Sequence, residues 1–396
     1  MPVTLHSERE PGVDALRAVA LAGVFLVNAV GYGMAPDYPA PVGAPQPVDS
    51  LLALGPHGLL VALVQGKAWP LLCFLFGYSL CATAVGARAR GLSGVEIVRA
   101  RYRRLLLLGV LHGTLVYFGD VLTMYALCGF CVSAAVFARA RTLLRLWWWL
   151  TGLAVVVGLL TGLLGIALWF DWGAQSAQWP ATPAVGSLVG AAGLGAFLQL
   201  NAQTYLEFQL AWLFTLAPLM LWLTVAGVLA RRFRLLGARR FARAFWGAHL
   251  PLWHFWAALC VNIALGAASV WVHQSDELVA QRITALATWA PLPGIWLSAA
   301  TLAVFARDWQ NHTPQWVTWL APAGRHTLVM YLSLSLLLML SSGAFWAWSD
   351  GTLLTTTLAL GAWWLAVLLA RKATARGWRD PLAQWLSFGA RPATAR

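Results

Sequence analysis

The chain has 396 residues, of which 60% are hydrophobic and only 10% charged, and it holds 24 tryptophans. A soluble domain carries about 25% charged residues, so composition excludes a water-soluble globular protein and predicts an all-α, polytopic helical membrane protein. The formal net charge of +13 does not imply nucleic acid, because the cations sort by connection between apolar stretches rather than gathering in one domain.

In chain order, apolar stretches predict about ten transmembrane helices, near residues 15–35, 68–86, 103–118, 120–138, 146–170, 206–230, 245–266, 284–306, 326–347 and 353–370. Most exceed the roughly 17 residues needed to cross hydrocarbon. Glu8, Glu10 and Asp14 make a poor positive leader, so the first span is expected to be retained. That span opens at Asp14-Ala-Leu-Arg17 and carries Asn28. Asp14 suits a helix N-cap, Arg17 a cytoplasmic anchor and Asn28 interhelical glue; all three are also candidate substrate contacts. Residues 35–50 hold five prolines and resist helix formation, and 51–65, with Pro56 and His57, reads as interfacial or re-entrant. Gly66-Lys67 opens the second span. Lys67 either snorkels to the interface or binds an anionic group at an exterior mouth.

The third and fourth spans are borderline in length, with Gly119-Asp120 as their break, and they carry His112, Asp120 and Tyr125. An ionisable group at the bilayer centre costs about 2.5–3.5 kcal/mol on insertion scales, so such groups are rare and usually face a cavity or a partner. Histidine is the side chain best suited to proton transfer near neutral pH, and a carboxylate can fix its tautomer. The structural alternative is a buried histidine bonded to a helix carbonyl, with Asp120 capping the next helix. The connection 171–205 predicts an exterior loop and a short surface helix. His249 and His254, among Trp246, Trp253 and Trp256, read as helix packing. All five cysteines fall in spans, and Cys128-Gly-Phe-Cys131 reads as packing rather than a redox pair. No metal site and no nucleotide-binding or hydrolase motif is expected.

Charge sets the orientation. Placing both termini in the cytoplasm puts 25 of the 27 basic residues on that side, leaving only Lys67 and Arg282 outside. The chain reads as a single integral membrane domain over residues 1–396, with the polar motifs in about 1–145.

Asp14-Ala-Leu-Arg17 through Asn28, Gly66-Lys67 with Phe74-Leu-Phe-Gly77, and Arg104 through His112 to Gly119-Asp120 and Tyr125 resemble the YeiB-like family of bacterial inner-membrane proteins, also called domain of unknown function 418. Pro322-Ala-Gly324-Arg325 with Tyr331, and Arg379-Asp-Pro381-Leu with Trp385, are similar to its C-terminal signature, over about 205–396. The sequence departs from that pattern at Ala18, Met330 and Gln384. The resemblance implies a multi-pass protein of the bacterial inner membrane with distant kinship to transmembrane acyltransferases. On that reading His112 and Asp120 are catalytic, and Asp14, Arg17, Asn28, Lys67, Tyr125, Arg325 and Tyr331 face substrate. Arg231, Arg232, Arg239 and Arg240 would attract the phosphates of acyl-CoA, a co-substrate rather than a permanently bound cofactor. The acceptor would be a lipid or glycan. The alternative is a transporter or lipid flippase whose pathway the same residues line.

Overall fold

The computed structural model describes residues 10–32, 51–169, 193–236, 240–273, 291–308, 314–345, 352–378 and 380–387. Among these residues all regular structure is helical: α1 (Pro11–Tyr32), α2 (Leu51–Leu63), α3 (Ala68–Ala89), α4 (Gly94–Leu115), α5 (Leu122–Ser133), α6 (Ala140–Trp169), α7 (Gly193–Thr215), α8 (Ala217–Arg232), α9 (Arg240–His249), α10 (Leu252–His273), α11 (Pro291–Asp308), α12 (Gln315–Arg325), α13 (Thr327–Phe345), α14 (Thr352–Ala375) and α15 (Pro381–Ser387). Four helical stretches among them are long and apolar enough to cross a membrane, or up to seven if each bent pair counts as one span. This marks a membrane protein.

Two predicted spans are bent, and a third bend falls where the span expected at 326–347 begins. α7 and α8 meet at 63°, α9 and α10 at 50°, and α12 and α13 at 75°. Pro218 at the start of α8 and Pro251 between α9 and α10 supply the first two breaks, because proline has no N–H to donate and its ring crowds the preceding turn. The expected span at 206–230 is therefore two helices, and α7 begins at Gly193, inside the connection expected to be an exterior loop and a short surface helix. Residues 35–50 and 171–192 lie outside the described residues.

The third and fourth predicted spans need correction too. α4 starts early, at Gly94, where the Ser93 hydroxyl accepts from the Glu96 amide at 3.4 Å. Its first three turns carry Arg99, Arg101, Arg103 and Arg104, so only 105–115 is a continuous apolar arm. α5 is 12 residues long, about 18 Å at 1.5 Å per residue, against a hydrocarbon core of about 30 Å. The expected span at 120–138 is thus a short helix, and α4 and α5 form a hairpin whose tip, 116–121, is half-buried around the fully buried Asp120.

Two crossings hold the core together by close backbone approach. Where α3 crosses α8, a Cβ on Gly77 would fall 1.9 Å from the Thr224 carbonyl oxygen, and one on Gly227 2.0 Å from that of Phe74. Where α12 crosses α1, a Cβ on Gly324 would fall 1.7 Å from the Asp14 carbonyl oxygen. Small residues permit such contacts, and in lipid, where apolar burial gives no drive, packing of this kind associates helices.

Candidate functional site

Asp120 sits at the tip of the α4–α5 hairpin with no solvent exposure. Four donors converge on its two oxygens. Oδ1 receives His112 Nδ1 at 2.9 Å and the Tyr331 hydroxyl at 3.3 Å; Oδ2 receives the Thr123 amide at 2.9 Å and the Thr123 hydroxyl at 3.0 Å. Asp120 therefore caps α5 and holds His112 at once. The helix-carbonyl alternative for His112 fails, because its Nδ1 is spent on the carboxylate. That bond also fixes the tautomer: Nδ1 carries the hydrogen and Nε2 the lone pair. Nε2 is buried, with no hydrogen-bond partner among the described residues. The Tyr331 ring covers the imidazole, with centroids 4.9 Å apart.

Residues that the sequence reading missed complete this network. The Gln209 amide donates to the Asp120 carbonyl at 2.8 Å, and Tyr205 bonds the Thr123 hydroxyl at 2.8 Å. Asn201 donates to the carbonyls of Gly113 and Thr114, both at 2.8 Å, and accepts from the Phe118 amide at 3.0 Å, which closes the end of α4. Asn201, Tyr205 and Gln209 recur at i, i+4 and i+8, so one face of α7 is a polar stripe. That spacing was a visible signal, divided by the expected boundary between the exterior loop and short surface helix at 171–205 and the span at 206–230.

Beside this network runs a cavity of about 460 Å³. It follows α1 from Glu10 to Val24, about 21 Å at 1.5 Å per residue. One end is polar, with Glu10, Asp14, Arg17, Arg90, Arg101, Arg231, Arg325 and Asp380; the other is apolar and aromatic, with Leu21, Val24, Leu72, Phe76, Tyr125 and Tyr331. Asp14 pairs with Arg17, and Arg325 Nε stands 3.8 Å from Asp14 Oδ2. Arg17 also donates to the Ser79 hydroxyl. Arg231 pairs with Glu10 and donates to the Tyr78 hydroxyl at 3.1 Å. Arg90 and Arg101 have no ion-pair partner among the described residues.

The structure thus brings Asp14, Arg17, Arg231, Arg325, Tyr125 and Tyr331 to one cavity. His112 and Asp120 stand just behind it, and Tyr331 touches both the cavity and the pair. Three expected site residues do not join it. Lys67 lies at the α2–α3 turn, where its ammonium donates to the Val61 carbonyl at 2.5 Å, and Asn28 is buried on α1 away from the cavity wall. Arg232, one helix position from Arg231 and so about 100° around α8, donates to the carbonyls of Val136 and Ala138 beyond the end of α5. It seals a helix terminus rather than facing the cavity. Arg239 and the side chain of Arg240 lie outside the described residues.

Other motifs resolve as packing. His249 bonds the Phe245 carbonyl at 2.9 Å, His254 bonds Trp296 at 3.2 Å, and all five cysteines are free thiols. No group of three metal-ligating side chains occurs among the described residues.

No family model matches the chain. It is 31% identical over 144 residues to the uncharacterized protein YxaH of Bacillus subtilis (strain 168), covering 36% of each chain. It is also 31% identical over 128 residues to an uncharacterized 39.9 kDa protein in the amylase 3' region of Bacillus acidopullulyticus, covering 32% of this chain and 34% of that one. The matches therefore span about a third of the length of either relative.

Proposed function

We propose that this chain is an integral-membrane acyltransferase that moves a short acyl group from a cytoplasmic acyl-CoA to a lipid or glycan acceptor. One observation carries the reading: a single elongated cavity joins an arginine-rich mouth to Tyr331, which contacts the buried His112–Asp120 pair. Arginine binds phosphate through a bidentate fork, and Arg90 and Arg101 are the cavity-lining cations without an ion-pair partner among the described residues. The apolar shaft of Leu21, Val24, Leu72 and Phe76 suits a pantetheine arm and a short acyl chain.

In the transfer, an acceptor hydroxyl or amine attacks the thioester carbonyl and gives its proton to His112 Nε2. The C–S bond breaks, and the thiolate leaves and takes up a proton. Asp120 holds the imidazole in the tautomer with Nε2 open and stabilises the imidazolium. Proton removal by a positioned histidine contributes about 10²–10⁴-fold in rate. Tyr331 positions the pair from the cavity side.

The reading includes about ten spans, both termini in the cytoplasm, a bacterial inner-membrane location and membership of the YeiB-like family. The sidedness of the basic connections supports the orientation. Counting α4 and α5 as two crossings or as one re-entrant hairpin leaves every other segment on the same side.

The three broken helix pairs favour a second reading, a transporter or flippase, since discontinuous helices build many transport sites. Titration of purified protein in detergent with acetyl-CoA separates the two. The acyltransferase reading predicts saturable binding that weakens with salt and falls further in an Arg90→Gln, Arg101→Gln double variant. No detectable binding at millimolar acetyl-CoA would leave transport ahead.

A further inference from the structure

One wall of the cavity comes from a short helix beyond the last span. α14 closes in a turn at Gly377, whose φ of +71° is the left-handed conformation that stops a helix, and a Cβ there would meet nothing within 4 Å. The Trp378 amide donates to the Ala373 carbonyl at 3.0 Å and completes the turn. α15 follows and is seven residues long, too short to be stable without docking. Asp380, Ala383 and Leu386, three residues apart and so on one face, line the cavity, while Pro381, Gln384 and Trp385 are exposed. Two clasps dock the helix. At its start, Asp380 Oδ1 accepts from the amides of Leu382 at 2.8 Å and Ala383 at 3.0 Å, and Oδ2 pairs with His326 Nδ1 at 3.9 Å. His326 Nε2 in turn bonds the Thr374 hydroxyl of α14 at 3.2 Å, so this end is rooted in the core. At its far end, Arg104 of α4 donates to the Trp385 carbonyl at 2.7 Å and to that of Leu386 at 3.3 Å, and its guanidinium lies 5.8 Å from the Trp385 ring centroid. A cation there also complements the helix dipole.

A short helix with one face in the cavity, a glycine turn before its root and a charged clasp at its tip is built to swing. We propose that α15 gates the polar mouth of the cavity. Docked, it slows the passage of an anionic ligand; release of the Arg104 clasp swings the tip away from α4 and opens the way in. The inference concerns access to the cavity and does not depend on which anion enters it.

Ser79 lines the cavity, and Ser79→Cys places a thiol there at the smallest change of shape. Purified full-length protein in detergent is treated with the anionic reagent sulfonatoethyl methanethiosulfonate, and modification of each cysteine is followed by peptide mass spectrometry. Adding Arg104→Ala should speed modification at position 79 about 10-fold, the ratio expected for loss of one charge-assisted hydrogen bond. Cys73, fully buried on the same helix and outside the cavity wall, should react no faster. Gly377→Ala meets no atom and acts only through its left-handed φ; it should speed modification at position 79 about 5-fold, and it gives the same comparison if Arg104→Ala is unstable. An unchanged rate at position 79 in both variants overturns the inference. A parallel rise at Cys73 also overturns it, because that pattern is general loosening of the protein. Neither result bears on acetyl-CoA binding by the wild-type protein, so the gate and the acyl-CoA reading fail separately.

Discussion

Asp120→Asn separates the chemical role of the hairpin tip from its structural one. An asparagine side chain has one oxygen where Asp120 has two, and the four donors around the carboxylate divide into two pairs. The oxygen is expected to keep the Thr123 pair, because that amide opens α5 and has no alternative acceptor on a helix. The new NH₂ then meets His112 Nδ1 and the Tyr331 hydroxyl. Two hydrogens would face each other unless the imidazole moves its hydrogen to Nε2, after which Nδ1 accepts from the asparagine. The inverted tautomer restores most of the network, so the stability loss should be about 1–3 kcal/mol, that of one buried group left imperfectly paired. It also fills the lone pair needed for proton removal, and activity should fall by about 10²–10⁴-fold. Nitrogen chemical shifts of 15N-histidine-labelled protein read the tautomer directly, and thermal unfolding in detergent reads the stability. An Asp120→Asn protein that keeps a hydrogen on Nδ1, or that keeps full activity with an inverted tautomer, would refute the reasoning.

Further outcomes follow from the packing and the charge pattern. Gly324→Leu should lower the melting temperature and loosen the cavity, because even its Cβ meets the Asp14 backbone at 1.7 Å, and overpacking of this kind costs about 1–3 kcal/mol or more; melting like wild type would mean that α1 and α12 are not in close contact. Reporter fusions after residues 95, 140, 237, 315 and 396 should read cytoplasmic and those after 45, 185 and 275 exterior, and a cytoplasmic signal at 185 would break the orientation.

Much of the helix order was legible because long apolar runs leave few choices of structure in lipid. Gly119-Asp120 announced itself as a break, since an aspartate between two apolar arms needs partners and a turn offers them. The partners themselves were not legible. Tyr331 meets Asp120 from 211 positions along the chain, and no local pattern encodes such a pairing. Arg231 and Arg232 are neighbours in sequence, yet helix geometry sends one to the cavity and the other to a helix end. Arg90 and Arg101 were not told apart from the other cytoplasmic arginines, because a cation beside a span serves orientation whether or not it also faces a cavity. Asn201 and Gln209 carry no local signal of their partners; the backbone groups freed at the hairpin tip are what they satisfy.

The most direct test of the central claim is release of free CoA from acetyl-CoA by protein reconstituted in bacterial lipid vesicles, compared with His112→Ala protein of equal abundance and melting behaviour. The account predicts CoA release that depends on added lipid or glycan acceptor and falls by about 10²–10⁴-fold in the variant. Equal release by both proteins, or none by either across the acceptors while uptake of a solute or lipid proceeds, would contradict it.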